Sequence, residues 1–308
     1  MTADQDQNQG QDQERCGFVA VLGAPNAGKS TLVNRLVGAK VSIVSPKPQT
    51  TRTRISGIAV DGRAQMILLD TPGIFAPRRR LDRAMVEAAW RTAGEADAIL
   101  LLVDAERGLG GAAEGIVEGL TQRRLRAVLA LNKVDRVRPP VLLALADQLN
   151  RTGLFTDTFM ISALTGDGVL DLRRFLVGKL PPGPWHYPED QLSDLSERLL
   201  AAEATREQVL LQLREELPYA VAVETEEWEE RGEGGVRIGQ VVYVARESQR
   251  AIVIGARGSR IKAIGQAARV ELTRLLGRPV HLFLHVKVAE RWADQPAFYR
   301  LWGLDYGA

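Results

Sequence analysis

The first residues able to do chemistry are 23–30, Gly-Ala-Pro-Asn-Ala-Gly-Lys-Ser. A glycine pair spaced in this way, followed by lysine and a hydroxyl residue, is the phosphate-cradling pattern G-x-x-x-x-G-K-[ST]. Gly23 and Gly28 allow a tight turn. Successive N–H groups of the loop, which runs through Ala24, Pro25, Asn26 and Ala27, can then point at phosphate oxygens. Lys29 places a point charge on the terminal phosphates. Ser30 offers a hydroxyl to Mg²⁺, and its N–H stands at the positive end of the helix that follows. The flanks agree: Phe18–Leu22 is a short apolar run suited to a buried parallel strand, and Ser30–Val37 has helical periodicity.

Further motifs follow apolar runs in order. Asp70-Thr71-Pro72-Gly73 follows the second core run. Its carboxylate can reach Mg²⁺, and the Gly73 N–H can read a terminal phosphate. Asn132-Lys133-Val134-Asp135 matches the guanine-reading pattern N-K-x-D. Guanine presents two donors that one carboxylate accepts together. Adenine would leave the Asp135 carboxylate unpaired. Lys133 can lie along the base and ribose, and Ser162-Ala163-Leu164 can give a backbone N–H to the guanine carbonyl. Together these motifs resemble the GTPase superfamily, which implies Mg²⁺-dependent hydrolysis of GTP to GDP.

The first switch loop is expected between Lys47 and Arg54. There a threonine hydroxyl would bind Mg²⁺ only when the terminal phosphate is present. Thr51 is the first choice and Thr50 the second. Metal ligation is therefore assigned to Ser30, Thr51 and Asp70. One departure concerns Ile74, which stands where the best-known GTPases place a water-orienting glutamine. An apolar side chain cannot orient water. Resemblance to translation-related GTPases with Pro-Asn in the phosphate loop suggests that Asn26 helps hold a K⁺ near the phosphates, supplying charge in the transition state. The catalytic set is Lys29, Asn26, Thr51 and Gly73.

These residues need strands to hold them. Phe18–Leu22, Gln65–Asp70, Ala98–Asp104, Ala127–Asn132 and Thr158–Ser162 read as strands alternating with helical stretches, and the segment from Gly57 to Gly62 reads as an edge strand with a hairpin turn. Ligands bind at the carboxyl ends of such strands, where Gly23, Asp70, Asp104, Asn132 and Ser162 fall. The fold class expected is an α/β P-loop GTPase domain with a mainly parallel, doubly wound sheet, followed by an α+β domain. Pro181-Pro182-Gly183-Pro184 is the clearest breaker. The domains expected are a disordered tail over 1–15, a GTPase domain over 16–182, a linker over 183–192 and a second domain over 193–308.

The chain has 308 residues, 45% hydrophobic and 25% charged, with a net charge of +2. These are ordinary globular values. A single cysteine excludes an intramolecular disulfide and suits a reducing cytosol. No apolar stretch is long enough for a transmembrane helix, and no signal sequence is seen at the N-terminus. Charge distribution says more than the total. Residues 236–288 carry ten Lys/Arg against two Asp/Glu, just after six glutamates between Glu224 and Glu233. Within that basic segment lies a G-x-x-G, Gly255-Ala256-Arg257-Gly258, with Arg260 and Lys262 after it. Its glycines let a sugar-phosphate chain come close, and Arg257, Arg260 and Lys262 add charge. It is read as lying between a strand and a helix. The order from residue 193 is helix, strand, strand, helix, helix, strand, with the two middle strands over 219–225 and 236–246, a long helix over 261–276 broken near Gly265 and a final strand over 280–288. That order resembles a type II KH domain, a reader of single-stranded RNA.

A GTPase domain joined to one C-terminal KH domain is similar to the Era family of ribosome-assembly GTPases. Supporting details are Gln49-Thr50-Thr51-Arg52, Tyr187-Pro188-Glu189-Asp190 and Leu217-Pro218-Tyr219. The resemblance implies a GTP-driven switch that binds 16S ribosomal RNA near its 3′ end and assists maturation of the 30S subunit. It also implies a cytoplasmic location with peripheral association at the inner face of the cell membrane. No lipidation motif or strongly basic amphipathic helix supports the membrane part. A monomer is expected. The rival readings are an RNA-binding module that senses nucleotide and hydrolyses weakly, and a GTPase whose C-terminal domain binds protein.

Overall fold

The computed structural model describes residues 13–213 and 217–308. Residues 1–12 of the expected tail lie outside the described residues. The described chain divides into two compact units.

In the first unit, β1 (Arg15–Gly23) leads through the phosphate-loop sequence into α1 (Lys29–Val37). Then come β2 (Ile55–Asp61), β3 (Ala64–Asp70), α2 (Arg80–Glu95), β4 (Ala98–Asp104) and α3 (Gly111–Arg123). β5 (Ala127–Asn132), α4 (Pro139–Asn150), β6 (Phe155–Ile161) and α5 (Val169–Lys179) complete the alternation. The strands form one sheet in the order β2-β3-β1-β4-β5-β6, with only β2 antiparallel to its neighbour. Both faces are covered, which is why the central strands read as near-continuous apolar runs. Val19, Val21, Leu100 and Leu102 join Leu32, Leu36, Leu172 and Leu176 in one cluster. Leu22, Leu101, Val103 and Leu129 join Trp90, Leu120, Leu145 and Leu149 in the other. Strand order reverses at β1, between β3 and β4. A reversal of this kind opens a crevice at the carboxyl ends.

β2 would be an open sheet edge, a liability for pairing with other chains. Residues 192–194 cover it: the Ile58 N–H donates to the Leu192 carbonyl at 2.9 Å, and Ser56 Oγ donates to Asp194 at 2.8 Å. The last residues, Trp302–Ala308, also belong to this unit.

The second unit contains α6 (Glu197–Gln212), β7 (Val221–Glu230), β8 (Val236–Val244), α7 (Glu247–Ile254), α8 (Ser259–Leu276), β9 (Val280–Val288) and α9 (Pro296–Leu301). Its sheet runs β7-β8-β9, antiparallel then parallel. Ala202, Val209 and Leu213 pack with Val221, Val223, Val242, Val244, Val253 and Ile264 beneath the helices. Three expectations need correction. α8 runs unbroken through Gly265. A mid-helix glycine costs about 1 kcal/mol, and burial of Ile264, Ala268 and Leu272 on one face outweighs it. The G-x-x-G lies between two helices, not between a strand and a helix. The Ile252-Val253-Ile254 run belongs to α7, whose start is fixed by Gln249 accepting from the Ala245 and Arg246 N–H groups at 2.9 and 3.2 Å. Finally, β7 extends through the glutamate-rich stretch. Glutamate is a poor strand former, but Arg237 meets Glu227 and Glu229, and Arg278 meets Glu230.

Residues 43–50, between α1 and β2 in sequence, are part of this second unit. The Val44 N–H donates to Glu207 at 2.8 Å, and Lys47 donates to the Leu210 and Leu213 carbonyls at the end of α6. There a cation also meets the negative end of the helix dipole. Arg206 Nε donates to Glu203 at 2.7 Å, and its guanidinium also donates to the Thr50 carbonyl. Both partners are nearly dry, at 1% and 4% side-chain exposure. Removing one member of such a pair strands the other charge. Arg206→Ala is therefore expected to destabilise by about 3–5 kcal/mol in urea unfolding, and the double change Arg206→Leu, Glu203→Leu by clearly less. Equal losses would contradict this reading of the pair.

Among the described residues no helix is long and apolar enough to cross a membrane.

Candidate nucleotide and nucleic-acid sites

Strand register brings the expected nucleotide residues to one edge. Val21 is paired with Asp70, Gly23 with Leu102, and Asp104 with Asn132. The loop after β1 is locked by its neighbours. Gly28 sits at φ 99°, and a Cβ there would fall 2.3 Å from Asn132 Nδ2, so only glycine fits. At Gly73 a Cβ would meet the Pro25 nitrogen at 2.8 Å, which places Asp70–Gly73 directly against the phosphate loop. Thr71 Oγ1 donates to the Val21 carbonyl at 2.7 Å, and the Ile74 N–H to the Gly23 carbonyl at 3.1 Å. Pro72 is buried beside them. The Ile74 side chain is buried in the core cluster that includes Leu22 and Trp90, pointing no polar atom at the site. Asn26 holds a left-handed backbone at φ 65°.

Lys29 is buried and donates to the Gly23 and Ala24 carbonyls at 3.1 and 3.2 Å. Burial pushes its pKa down to about 8, against the opposing pull of Asp70. Burial likewise holds the Asp70 carboxyl above its ordinary range, with Lys29 and the hydroxyls of Ser30 and Thr51 acting in the other direction. Ser30 Oγ donates to Asp70 Oδ2 at 2.7 Å. Thr51 Oγ1 lies 3.0 Å from Ser30 Oγ and 3.4 Å from the same carboxylate oxygen. Asp70 Oδ1 is buried and takes no hydrogen bond among the described residues. Two hydroxyls and a carboxylate with a spare buried oxygen are a hard oxygen set that fits Mg²⁺. Thr50 is elsewhere engaged: its hydroxyl donates to the Lys47 carbonyl at 2.8 Å.

The base-reading residues are joined by Asn132. Its Nδ2 donates to the Ala27 carbonyl at 2.7 Å, and its Oδ1 accepts the Ala163 N–H at 2.9 Å. One side chain thus ties the phosphate loop to the Ser162–Leu164 loop. Ser162 Oγ accepts from the Thr165 N–H at 3.1 Å, closing that turn. Lys133 donates to Asp104 at 2.6 Å, and Asp135 lies in the short turn Val134–Arg136 that follows. Sequence reasoning missed two supports. Asp104, noted only as a strand end, orients Lys133. Arg35 of α1 donates from Nε to the Ala163 carbonyl at 2.7 Å and also to the Leu164 carbonyl. An arginine on a helix surface carries no sequence signal for that role.

In the second unit, Gly255–Gly258 turns between α7 and α8, with Arg257 in a left-handed backbone at φ 52° and Ala256 exposed. Arg257 and Lys262 are exposed, while Arg260 also donates to the Ile252 carbonyl at 3.0 Å. A groove runs on between α8 and β9, lined by Ile261, Lys262, Gly265, Gln266, Arg269 and Phe283 among others. At Gly265 a Cβ would make ordinary contact with Leu284, at 3.4 Å. Charge along one wall and an exposed aromatic on the other suit a single nucleic-acid strand. Gln266, Arg269 and Phe283 are additions to the sequence-derived set.

The Lys29 shift has a testable consequence. Phosphate favours the charged amine, so the bound pKa lies above the free value of about 8. Nucleotide binding then takes up a proton between the two values. Affinity is full below pH 8 and falls as pH rises through it, which titration with a fluorescent GDP analogue from pH 7 to 9.5 measures. A flat profile would contradict it.

Two families match by sequence: a 50S ribosome-binding GTPase over residues 18–133 and a KH domain over residues 216–293. GTPase Era of Brucella suis biovar 1 is 59% identical over 294 residues, covering 96% of this chain and 94% of its own. GTPase Era of Rhizobium meliloti is 61% identical over 292 residues, covering 95% and 93%. A crystal structure of Era in complex with MgGDPNP and nucleotides 1506–1542 of 16S ribosomal RNA superposes with a TM-score of 0.89 at 40% identity, covering 94% of this chain and 99% of that one. With the phosphate loop, the hydroxyl–carboxylate cluster and the base-reading loops at one sheet edge, the chain belongs to the Era family of GTPases and hydrolyses GTP.

Proposed function

We propose that the chain is a GTP-driven switch whose second unit binds 16S ribosomal RNA near its 3′ end and assists assembly of the 30S subunit. The observation that carries the switch is Thr51, held beside Ser30 and Asp70. Support for the RNA comes from the Era complex with a 16S fragment and from the G-x-x-G groove.

In this reading the N–H groups of the Gly23–Ser30 loop wrap the phosphates, and Lys29 gives up its loop carbonyls to pair with the terminal ones. Ser30, Thr51 and Asp70 hold Mg²⁺. Bound there, the ion neutralises charge that develops on the phosphate oxygens. The Gly73 N–H reads the terminal phosphate, so its loss releases both Gly73 and Thr51. Asp135 accepts the guanine donors, Lys133 lies along the base, and the Ser162–Leu164 loop meets the guanine carbonyl. Ile74 supplies no water-orienting atom. Asn26 is assigned to holding K⁺ near the phosphates. Arg257, Arg260 and Lys262 meet RNA phosphates, while Gly255, Ala256 and Gly258 let the strand approach. The protein acts as a cytoplasmic monomer.

Thr51 and Thr50 are neighbours in the chain, yet Thr50 is bonded to Arg206 in the second unit. Ordering at Thr51 therefore bears on residues that share a unit with the RNA-binding turn.

Two measurements test the proposal. In filter binding with a 16S 3′-terminal transcript, the double change Arg257→Ala, Lys262→Ala should weaken binding and reduce the log–log salt slope by about 1.4, the value for two lost phosphate contacts on a single strand. Absence of RNA binding by the unchanged protein would refute the RNA part. GTP turnover should be several-fold faster in K⁺ than in Na⁺ buffer, and Asn26→Ala should erase the difference. Equal rates would remove the K⁺ role.

A further inference from the structure

We infer that Trp302 and the residues after it form a strap that positions Thr51 for the triphosphate state. Residues 51–53, Thr-Arg-Thr, are buried although all are polar. Buried polar groups must find partners, and where they find them shows what fixes the segment. Thr53 Oγ1 donates to the Trp302 carbonyl at 2.7 Å. The Arg52 guanidinium lies over the Trp302 ring, 5.5 Å from its centroid, and Trp302 is only 2% exposed. This ring and this carbonyl together hold both residues that follow Thr51.

The same stretch also meets the start of α2. The Arg80 guanidinium lies 4.6 Å from the centroid of the Tyr306 ring. Arg80 opens α2, the element entered after the Asp70–Gly73 loop. One short stretch therefore grips the chain just after Thr51 and the chain that leaves Gly73. Cation–π contacts and a hydrogen bond to a buried carbonyl are directional, so they set position rather than merely adding apolar burial. Thr53 is two residues from Thr51, too short a span for the Thr51 hydroxyl to keep its place beside Ser30 and Asp70 if Thr53 shifts. Thr53 and Trp302 are thus positioning residues that act through Thr51.

The strap rests on the reading of Thr51 as a ligand needed only with the terminal phosphate, and the test separates the two. Trp302→Ala removes a large buried ring and could unfold the chain. Thr53→Val keeps the shape and removes only the hydroxyl. Affinities for fluorescent GDP and for a non-hydrolysable GTP analogue are measured with Mg²⁺ on the full chain, for the unchanged protein, Thr53→Val, Thr53→Ser and Thr51→Val. Loss of one hydrogen bond should weaken the GTP analogue about three- to tenfold in Thr53→Val. GDP affinity should stay unchanged, and Thr53→Ser should restore the analogue. If Thr51→Val is selective for the analogue but Thr53→Val shifts both nucleotides equally or neither, the strap is only packing. If Thr51→Val is not selective, the Thr51 reading fails and the strap falls with it.

Discussion

The nucleotide site is organised around a buried carboxylate and a buried amine. Asp70 lies at the end of a central strand and Lys29 at the start of the helix after the phosphate loop, and neither is solvated. Isolated charges in such a place are costly. The fold meets the cost with donors: Ser30 and Thr51 on the carboxylate, and loop carbonyls around the amine. Phosphate and a hard divalent cation are the partners that complete both sets. The sheet order follows the same demand, because the reversal at β1 puts the phosphate loop beside the ends of β3 and β4.

From this centre, single side chains extend the order outward. Asn132 joins the phosphate loop to the base-reading loop, and Gly28 is forced by its closeness. Asp104 holds Lys133, and Arg35 holds the Ala163 carbonyl. On the other side, Trp302 holds Thr53 and Arg206 holds Thr50. Each of these contacts joins residues far apart in sequence within its own unit.

Much of this was legible in the residues. The apolar runs gave the five core strands, two of them, Ala98–Asp104 and Ala127–Asn132, with their observed bounds. Buried parallel strands impose unmistakable apolar runs, and loops that touch phosphate or guanine need fixed residue types. What stayed hidden depends on distance along the chain. The Thr53–Trp302 bond spans 249 positions and the Arg35–Ala163 bond 128. Neither periodicity nor local motif encodes such pairs. The β-branched run before the G-x-x-G misled in another way, because its strand-like composition yields to a cap at Gln249 and to burial of Val253 alone on one side. The glutamates of β7 carry no strand signal of their own, and only the arginines opposite them explain the strand.

The proposed switch has order at Thr51 setting the affinity for RNA. Its most direct test is the affinity of the full chain for a 16S 3′-terminal transcript, measured with GDP and with a non-hydrolysable GTP analogue, in the unchanged protein and in Thr51→Val. Such a switch gives two different affinities in the unchanged protein and one common value in the variant. Equal affinities in both nucleotide states of the unchanged protein would contradict it.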